Sequence, residues 1–117
     1  MNHHMRLVLF LACSMFALDV SRSIVAFSAD DTATLYIQRC ASCHGDKGHG
    51  DGAAGKYLQP PPADLATALK GKTDDWIAKV IKSGGASVGL SPTMVPNPDL
   101  SDVQVKGLVD YVKHFGS

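Results

Sequence analysis

Two cysteines three positions apart, with a histidine directly after the second, stand at Cys40-Ala41-Ser42-Cys43-His44. That spacing is the attachment signature for c-type haem. Each thiol can add across one of two vinyl groups on the same porphyrin edge, giving a thioether, and one helical turn sets the two sulfurs a suitable distance apart. The next residue swings its imidazole under the metal, which makes His44 the expected proximal ligand. A CxxC pair can also serve thioredoxin-like exchange, but that requires a βαβ context the sequence lacks. Half of a zinc site would need a second Cys/His pair, and none follows.

A low-spin electron-transfer haem takes its second ligand from methionine or another histidine. Of the four methionines, three lie within the first 15 residues, leaving Met94 for the folded domain. Met94 sits in a loop stiffened by Pro92, Pro96 and Pro98, far along the chain from His44. Such a separate segment suits the opposite side of the macrocycle. The competing role for a single methionine, filling a core gap, is disfavoured by its polar and proline flanks. His49 is too near His44 to cross the haem easily, and His114 lies at a helix end where a cation suits the dipole. Both are expected on the surface. The second ring N–H of His44 should donate to a carbonyl within Pro60–Pro62, as ligating histidines do.

The segments that position these residues begin beyond a leader. Leu7 to Leu18 is an apolar run of twelve residues, interrupted only by Ser14, preceded by Arg6 and ended by Asp19. This length fits the core of a secretory signal and falls short of the about twenty residues a membrane span needs. Residues 1–29 are therefore expected to be a cleaved signal peptide, with small residues at Ala26, Ser28 and Ala29 and a mature start at Ala29 or Asp30. A lipid on Cys13 is the minor alternative. Residues 30–117 form one domain, too small to bury a large core without a staple or cofactor.

The whole chain has 11 Lys and Arg against 11 Asp, and no Glu. This balance speaks against nucleic acid or an anionic membrane surface as a partner. Once Cys40 and Cys43 carry haem, no thiol of the domain remains for a disulfide.

Four helical stretches follow. The first runs from Thr32 to about Cys40 behind two acids, with Leu35, Tyr36, Arg39, Cys40 and Cys43 at helical spacing. A glycine-rich loop from Gly45 to Gly52 has no preceding strand and no phosphate-loop spacing, so its expected role is permissive backbone along one haem edge. A short helix begins near Asp64 and carries Leu65 and Leu69 inward. Thr73 caps a third, with Trp76, Ile77, Val80 and Ile81 as its buried stripe and Gly84-Gly85 as its stop. Ser101 and Gln104 form a capping box for the last helix, with Leu100 and Val105 as its hydrophobic staple and Gly107 as an interior weakness. No stretch reads as a strand, and the fold class is all-α.

From Thr32 to Phe115 the sequence resembles a class I c-type cytochrome. The likeness rests on Cys40-Ala-Ser-Cys43-His44-Gly45, the Gly-Asp-Gly loop, Pro-Pro-Ala-Asp64-Leu65, Met94 with Pro96, and Leu108-Val-Asp-Tyr111-Val112. It implies about four helices around one covalent haem, with the first and last helices crossing and Tyr36 packing on Leu108 and Tyr111. The proline-carbonyl contact to the proximal histidine belongs to the same pattern. Val95 departs from it, since proline usually follows the methionine directly, and three consecutive prolines obscure which carbonyl meets His44.

The resulting expectation is a non-enzymatic, exported, periplasmic carrier of single electrons. Haem c is held by Cys40 and Cys43, ligated by His44 and Met94, and surrounded by Tyr36, Pro62, Leu65 and Trp76. Its partners would be a protein donor and a protein acceptor, with no nucleic acid and no membrane insertion after cleavage, the chain being a monomer or a subunit of a redox complex. A dedicated subunit of a dehydrogenase or terminal oxidase is the alternative, and an open-site haem sensor or enzyme a more distant one.

Overall fold

A computed structural model describes residues 26–117. The apolar run expected to be the core of a leader, with Met1, Met5, Cys13 and Met15, lies outside the described residues. The described elements are α1 (Ala29–Arg39), α2 (Ala41–His44), α3 (Leu65–Ala68), α4 (Asp74–Ser83) and α5 (Asp102–Lys113). Single 3-10 turns at Gly55–Tyr57, Gly85–Val88 and His114–Gly116 join or follow them. Among the described residues there is no strand, and the fold is all-α. Helix α2, which is the Cys40–His44 turn itself, adds to the four stretches read from the sequence.

Helix α1 opens earlier than the acids at its start indicate. Ser28 is its N-cap: the Asp31 amide donates to the Ser28 hydroxyl at 3.1 Å, and the Ser28 amide donates to the Asp31 carboxylate at 2.9 Å. The Ser28 amide foremost, and then the Ser28 hydroxyl, which donates to the same carboxylate at 2.7 Å, hold the Asp31 carboxyl below the usual range. The box escapes the sequence pattern because aspartate stands where glutamate or glutamine is the usual third residue. At the other end of the chain the expected box forms, with Ser101 N donating to Gln104 Oε1 at 2.9 Å and Gln104 N to Ser101 Oγ at 3.3 Å. Leu100 and Val105 flank that cap, both buried. Thr73 caps α4 through the Trp76 amide, and Gly84, at φ 81°, ends it.

Helix α1 packs across α5, and α4 packs along α5. Tyr36 of α1 and Leu108 of α5 are the largest fully buried side chains. The Tyr36 ring lies 5.1 Å from that of Tyr111 and 5.3 Å from that of Phe115, tilted and edge-on respectively. Such aromatic pairs add about 0.5–1.5 kcal/mol each beyond the area they bury. Ile77 and Ile81 of α4 join Val105, Val109 and Val112 of α5 in the same core.

Gly107 explains itself at the crossing. A Cβ there would lie 2.8 Å from Thr32 Oγ1 and 3.3 Å from the Phe27 ring. The residue that weakens α5 as a helix is the one that lets α1 approach.

Candidate functional site

Helix α2 is a single turn, offset from α1 by Cys40, whose φ of −121° breaks the helical path. The amides of Cys43 and His44 both donate back to the Cys40 carbonyl, at 3.2 and 2.9 Å. A turn this short cannot hold its own remaining carbonyls, and the glycine-rich loop satisfies them. Ala54 N donates to Ser42 O at 2.8 Å, Gly52 N to Cys43 O at 3.2 Å and Gly50 N to His44 O at 2.7 Å. Gly45 O accepts from Gly48 N at 3.1 Å and from the buried Tyr36 hydroxyl at 2.7 Å. Burial raises the Tyr36 phenol well above its ordinary value, so it stays a donor.

This corrects the role expected for the loop. It sheathes the outer side of the cysteine–histidine turn, and none of residues 45–57 lines the cavity described below. The approach is close enough to require glycine: a Cβ on Gly52 would fall 2.4 Å from Ser42 O, and one on Gly55 2.4 Å from Cys43 O.

On the inner side of the turn lies a cavity of about 320 Å³. Cys40, Cys43 and His44 line it, and so does Met94, fifty residues further along. Tyr36, Pro62, Leu65 and Trp76, expected around the site, line it as well. The Met94 segment is tied to the end of α4: Gly85 N donates to Met94 O at 2.8 Å, and Asn97 donates from its backbone to Lys82 O and from its side chain to Ile81 O at 3.0 Å. Lys82 reaches the Leu100 carbonyl. Arg39 pairs with Asp99 at 2.5 Å, joining the same segment to α1 and holding the Asp99 carboxyl below its usual range.

The walls are mainly apolar. Leu65, Leu69, Trp76 and Val80 are only half-buried, with Ile77 and Ile81 behind. Burial pushes the Cys40 thiol up to about 11, against the pull of neighbouring Arg39. Burial also lowers His44, which favours the neutral imidazole that binds metals. Its Nδ1 is buried and has no hydrogen-bond partner among the described residues. The expected donation to a carbonyl of Pro60–Pro62 is therefore not made. The Pro62 carbonyl turns instead onto the backbone of Gly50, 2.3 Å from where a Cβ would stand there. An imidazole, a thioether and two thiols around an apolar cavity form a donor set that fits a covalently held haem.

Several lining residues carry no mark in the sequence. Leu58, Leu90, Thr93 and Val95 sit in irregular segments, where no periodicity picks out an inward face. Proximity to Met94 is the one signal that could have found Leu90 and Val95. The two histidines expected on the surface lie there: His49 Nδ1 is 3.5 Å from the Asp64 carboxylate, and His114 Nδ1 is 2.6 Å from the Asp110 carbonyl oxygen.

The sequence model of the family described as Cytochrome c matches residues 29–116. The chain belongs to the cytochrome c family. A Cbb3-type cytochrome c oxidase subunit CcoP of Azospirillum brasilense is 32% identical over 95 residues, which is 81% of this chain and 31% of that protein. The corresponding subunit of Azospirillum sp. (strain B510) is 33% identical over 84 residues, 71% of this chain and 27% of that protein. The chain thus spans about three-tenths of the curated relatives it matches.

Among solved structures, the Kuenenia stuttgartiensis reducing HAO-like protein complex contains a similar chain at TM-score 0.60 and 27% identity, over 72% of this chain and 40% of that one. The KustC0563 c-type cytochrome is similar at TM-score 0.56 and 26% identity, over 74% of this chain and 98% of its own. Membership implies covalently bound haem c and electron transfer. Among the described residues, no helix is long and apolar enough to cross a membrane.

Proposed function

We propose that this cytochrome c is an exported, single-haem electron carrier of the periplasm, soluble once its leader is removed. Cys40 and Cys43 form the thioethers, and His44 and Met94 are the axial ligands. The observation that carries the reading is the convergence of these four residues, from two segments fifty positions apart, on one apolar cavity. Bound haem supplies a one-electron couple at iron, and the chain's residues govern how easily it is used. His44 presents a neutral imidazole, because burial opposes its protonation. Met94 is held by a loop pinned at Gly85, Asn97 and Leu100, so its sulfur has little freedom to move between oxidation states. Leu65, Leu69, Trp76 and Val80 exclude water from the macrocycle face, which disfavours the more highly charged ferric form.

Both axial positions are filled in this reading, which leaves no place for a substrate at iron and makes the protein a carrier rather than an enzyme. The decisive test is Met94→Ala. The ferric protein should lose the weak sulfur-to-iron charge-transfer band, its potential should fall, and the ferrous form should bind carbon monoxide. An unchanged spectrum would mean that another residue ligates iron. Cys40→Ser with Cys43→Ser should leave no denaturation-resistant haem on a gel.

A second reading has its own support. Both curated relatives are oxidase subunits, and one structural neighbour belongs to a multi-chain complex. A dedicated subunit of a redox complex would use the same cavity and ligands. Stoichiometric co-purification of a second chain at high salt would favour it over a diffusing carrier.

A further inference from the structure

The start of α1 bears on how the chain is processed. Ser28 closes four separate bonds there: its hydroxyl accepts from Asp31 N and donates to the Asp31 carboxylate at 2.7 Å, its amide donates to the same carboxylate, and its carbonyl accepts from Thr32 N at 3.0 Å. The Thr32 hydroxyl adds a fifth, to Ser28 O at 3.1 Å. One residue earlier, Phe27 is half-buried against the core, and its ring lies over Gly107 at the crossing of α1 and α5. Phe27 and Ser28 therefore belong to the folded domain, although small residues at 26, 28 and 29 make the stretch read as a cleavage region.

Cleavage after Ser28 would discard the cap and the ring together. It would also put a new ammonium on Ala29, at the end of α1 where the helix dipole is already positive. The Asp31 carboxylate and the Thr32 amide would lose their partners, and Gly107 would face an uncovered gap. Further upstream the sequence offers another site. Ser21-Arg22-Ser23 carries a small residue at both recognition positions, five residues beyond the apolar run that ends at Leu18. Ala26 is small too, but a cut behind it would place bulky Ile24 at the other recognition position.

Resting on the export reading proposed above, we infer that the leader is removed between Ser23 and Ile24, so that the mature cytochrome keeps Phe27 and Ser28. The processing enzyme is of the class that reads small residues one and three positions before the cut. The retained Ile24-Val25-Ala26 then precedes the aromatic residue that covers Gly107.

The test is the intact mass and N-terminal sequence of the full chain expressed with its own leader in an exporting host. The expected mature terminus is Ile24. A terminus at Ala29 or Asp30 would overturn the inference while leaving export intact, and one at Phe27 would overturn the assignment to the serine triplet. An uncleaved precursor that is never exported would overturn the export reading instead. Two variants separate the alternatives: Ser23→Trp should block processing, whereas Ser28→Leu should be cut as efficiently as the parent. The reverse pattern would place the cut after Ser28. In holo-protein expressed from Ile24, Ser28→Ala should lower the folded-to-unfolded ratio by roughly fivefold, the usual effect of losing an N-cap. No change in that ratio would remove the physical reason for retaining the residue.

Discussion

Gly52→Ala should be far more damaging than its chemistry suggests, because Gly52 lies against backbone. Its new methyl would stand 2.4 Å from Ser42 O, 2.5 Å from Ala41 O and 2.6 Å from Cys43 C. All three are main-chain atoms of the cysteine–histidine turn, so no side chain can rotate away. Overpacking of this kind costs about 1–3 kcal/mol. Relieving it by moving the loop outward would also stretch the Gly52 N to Cys43 O and Ala54 N to Ser42 O bonds, worth about 0.5–1.5 kcal/mol each. The sum is roughly 2–6 kcal/mol, a large share of the 5–15 kcal/mol typical of a whole domain.

Gly71 is the matched control. It has φ +72°, and nothing lies within 4 Å of where its methyl would stand, so Gly71→Ala should cost only the about 1–2 kcal/mol of left-handed strain. The assay is guanidinium unfolding of both holo-variants, followed by far-UV circular dichroism and read from midpoints at constant slope. Haem stain per milligram of purified protein reports whether the turn is still presented for attachment. A Gly52→Ala protein no less stable than Gly71→Ala would refute the sheath as a structural device.

Gly107→Ala sets helix propensity against crowding. The about 1 kcal/mol gained in α5 is opposed by contact with Thr32 Oγ1, which is tied to Ser28 O. Net destabilisation is expected, and a raised melting temperature would mean that the crossing has room. The Asp31 carboxyl is depressed below 3.8 in the fold, so its contribution is present above that value and lost as pH falls through its lower folded value. Asp31→Asn, which removes the titrating carboxyl, should accordingly flatten the acid limb of the stability–pH curve, and a parallel downward shift would contradict the capping box. Beyond residue 29 the chain carries nine Lys and Arg against ten Asp, so electron exchange with a partner should depend weakly on ionic strength. Stopped-flow oxidation across a salt series checks this, and a steep slope would require a charged docking face.

The helices are legible from their caps and stripes, because both depend on neighbours in sequence. Thr73 and Ser101 cap as their spacing indicates, and Ile77 and Ile81, like Val105, Leu108 and Val112, are buried at three- and four-residue intervals. Legibility ends where a residue's partner is distant. Nothing local distinguishes Leu58 or Leu90 from other loop leucines, since only the tertiary path turns them to the cavity. The glycine loop is misread for a related reason. Its composition announces close approach but not what is approached, and the partner is the carbonyls of Ala41–Cys43 rather than a haem edge. The Pro62 carbonyl escapes a local reading because it lies against Gly50, twelve residues earlier.

The two segments that bring the proposed iron ligands to the cavity are secured in different ways. Behind His44, loop amides reach the carbonyls from Ser42 to His44, and Tyr36 anchors the next one from the core. That side cannot open without exposing several main-chain acceptors at once. Around Met94 more of the fastenings are made by side chains: beside two backbone bonds, from Gly85 and Asn97, stand the Asn97 side chain on α4, the Lys82 contact and an exposed Arg39–Asp99 pair. Exposed ion pairs contribute about 1 kcal/mol or less. Local opening follows the less protected segment. The Met94 side should therefore yield first under denaturant, with its sulfur leaving iron before the cysteine–histidine turn loses its shape.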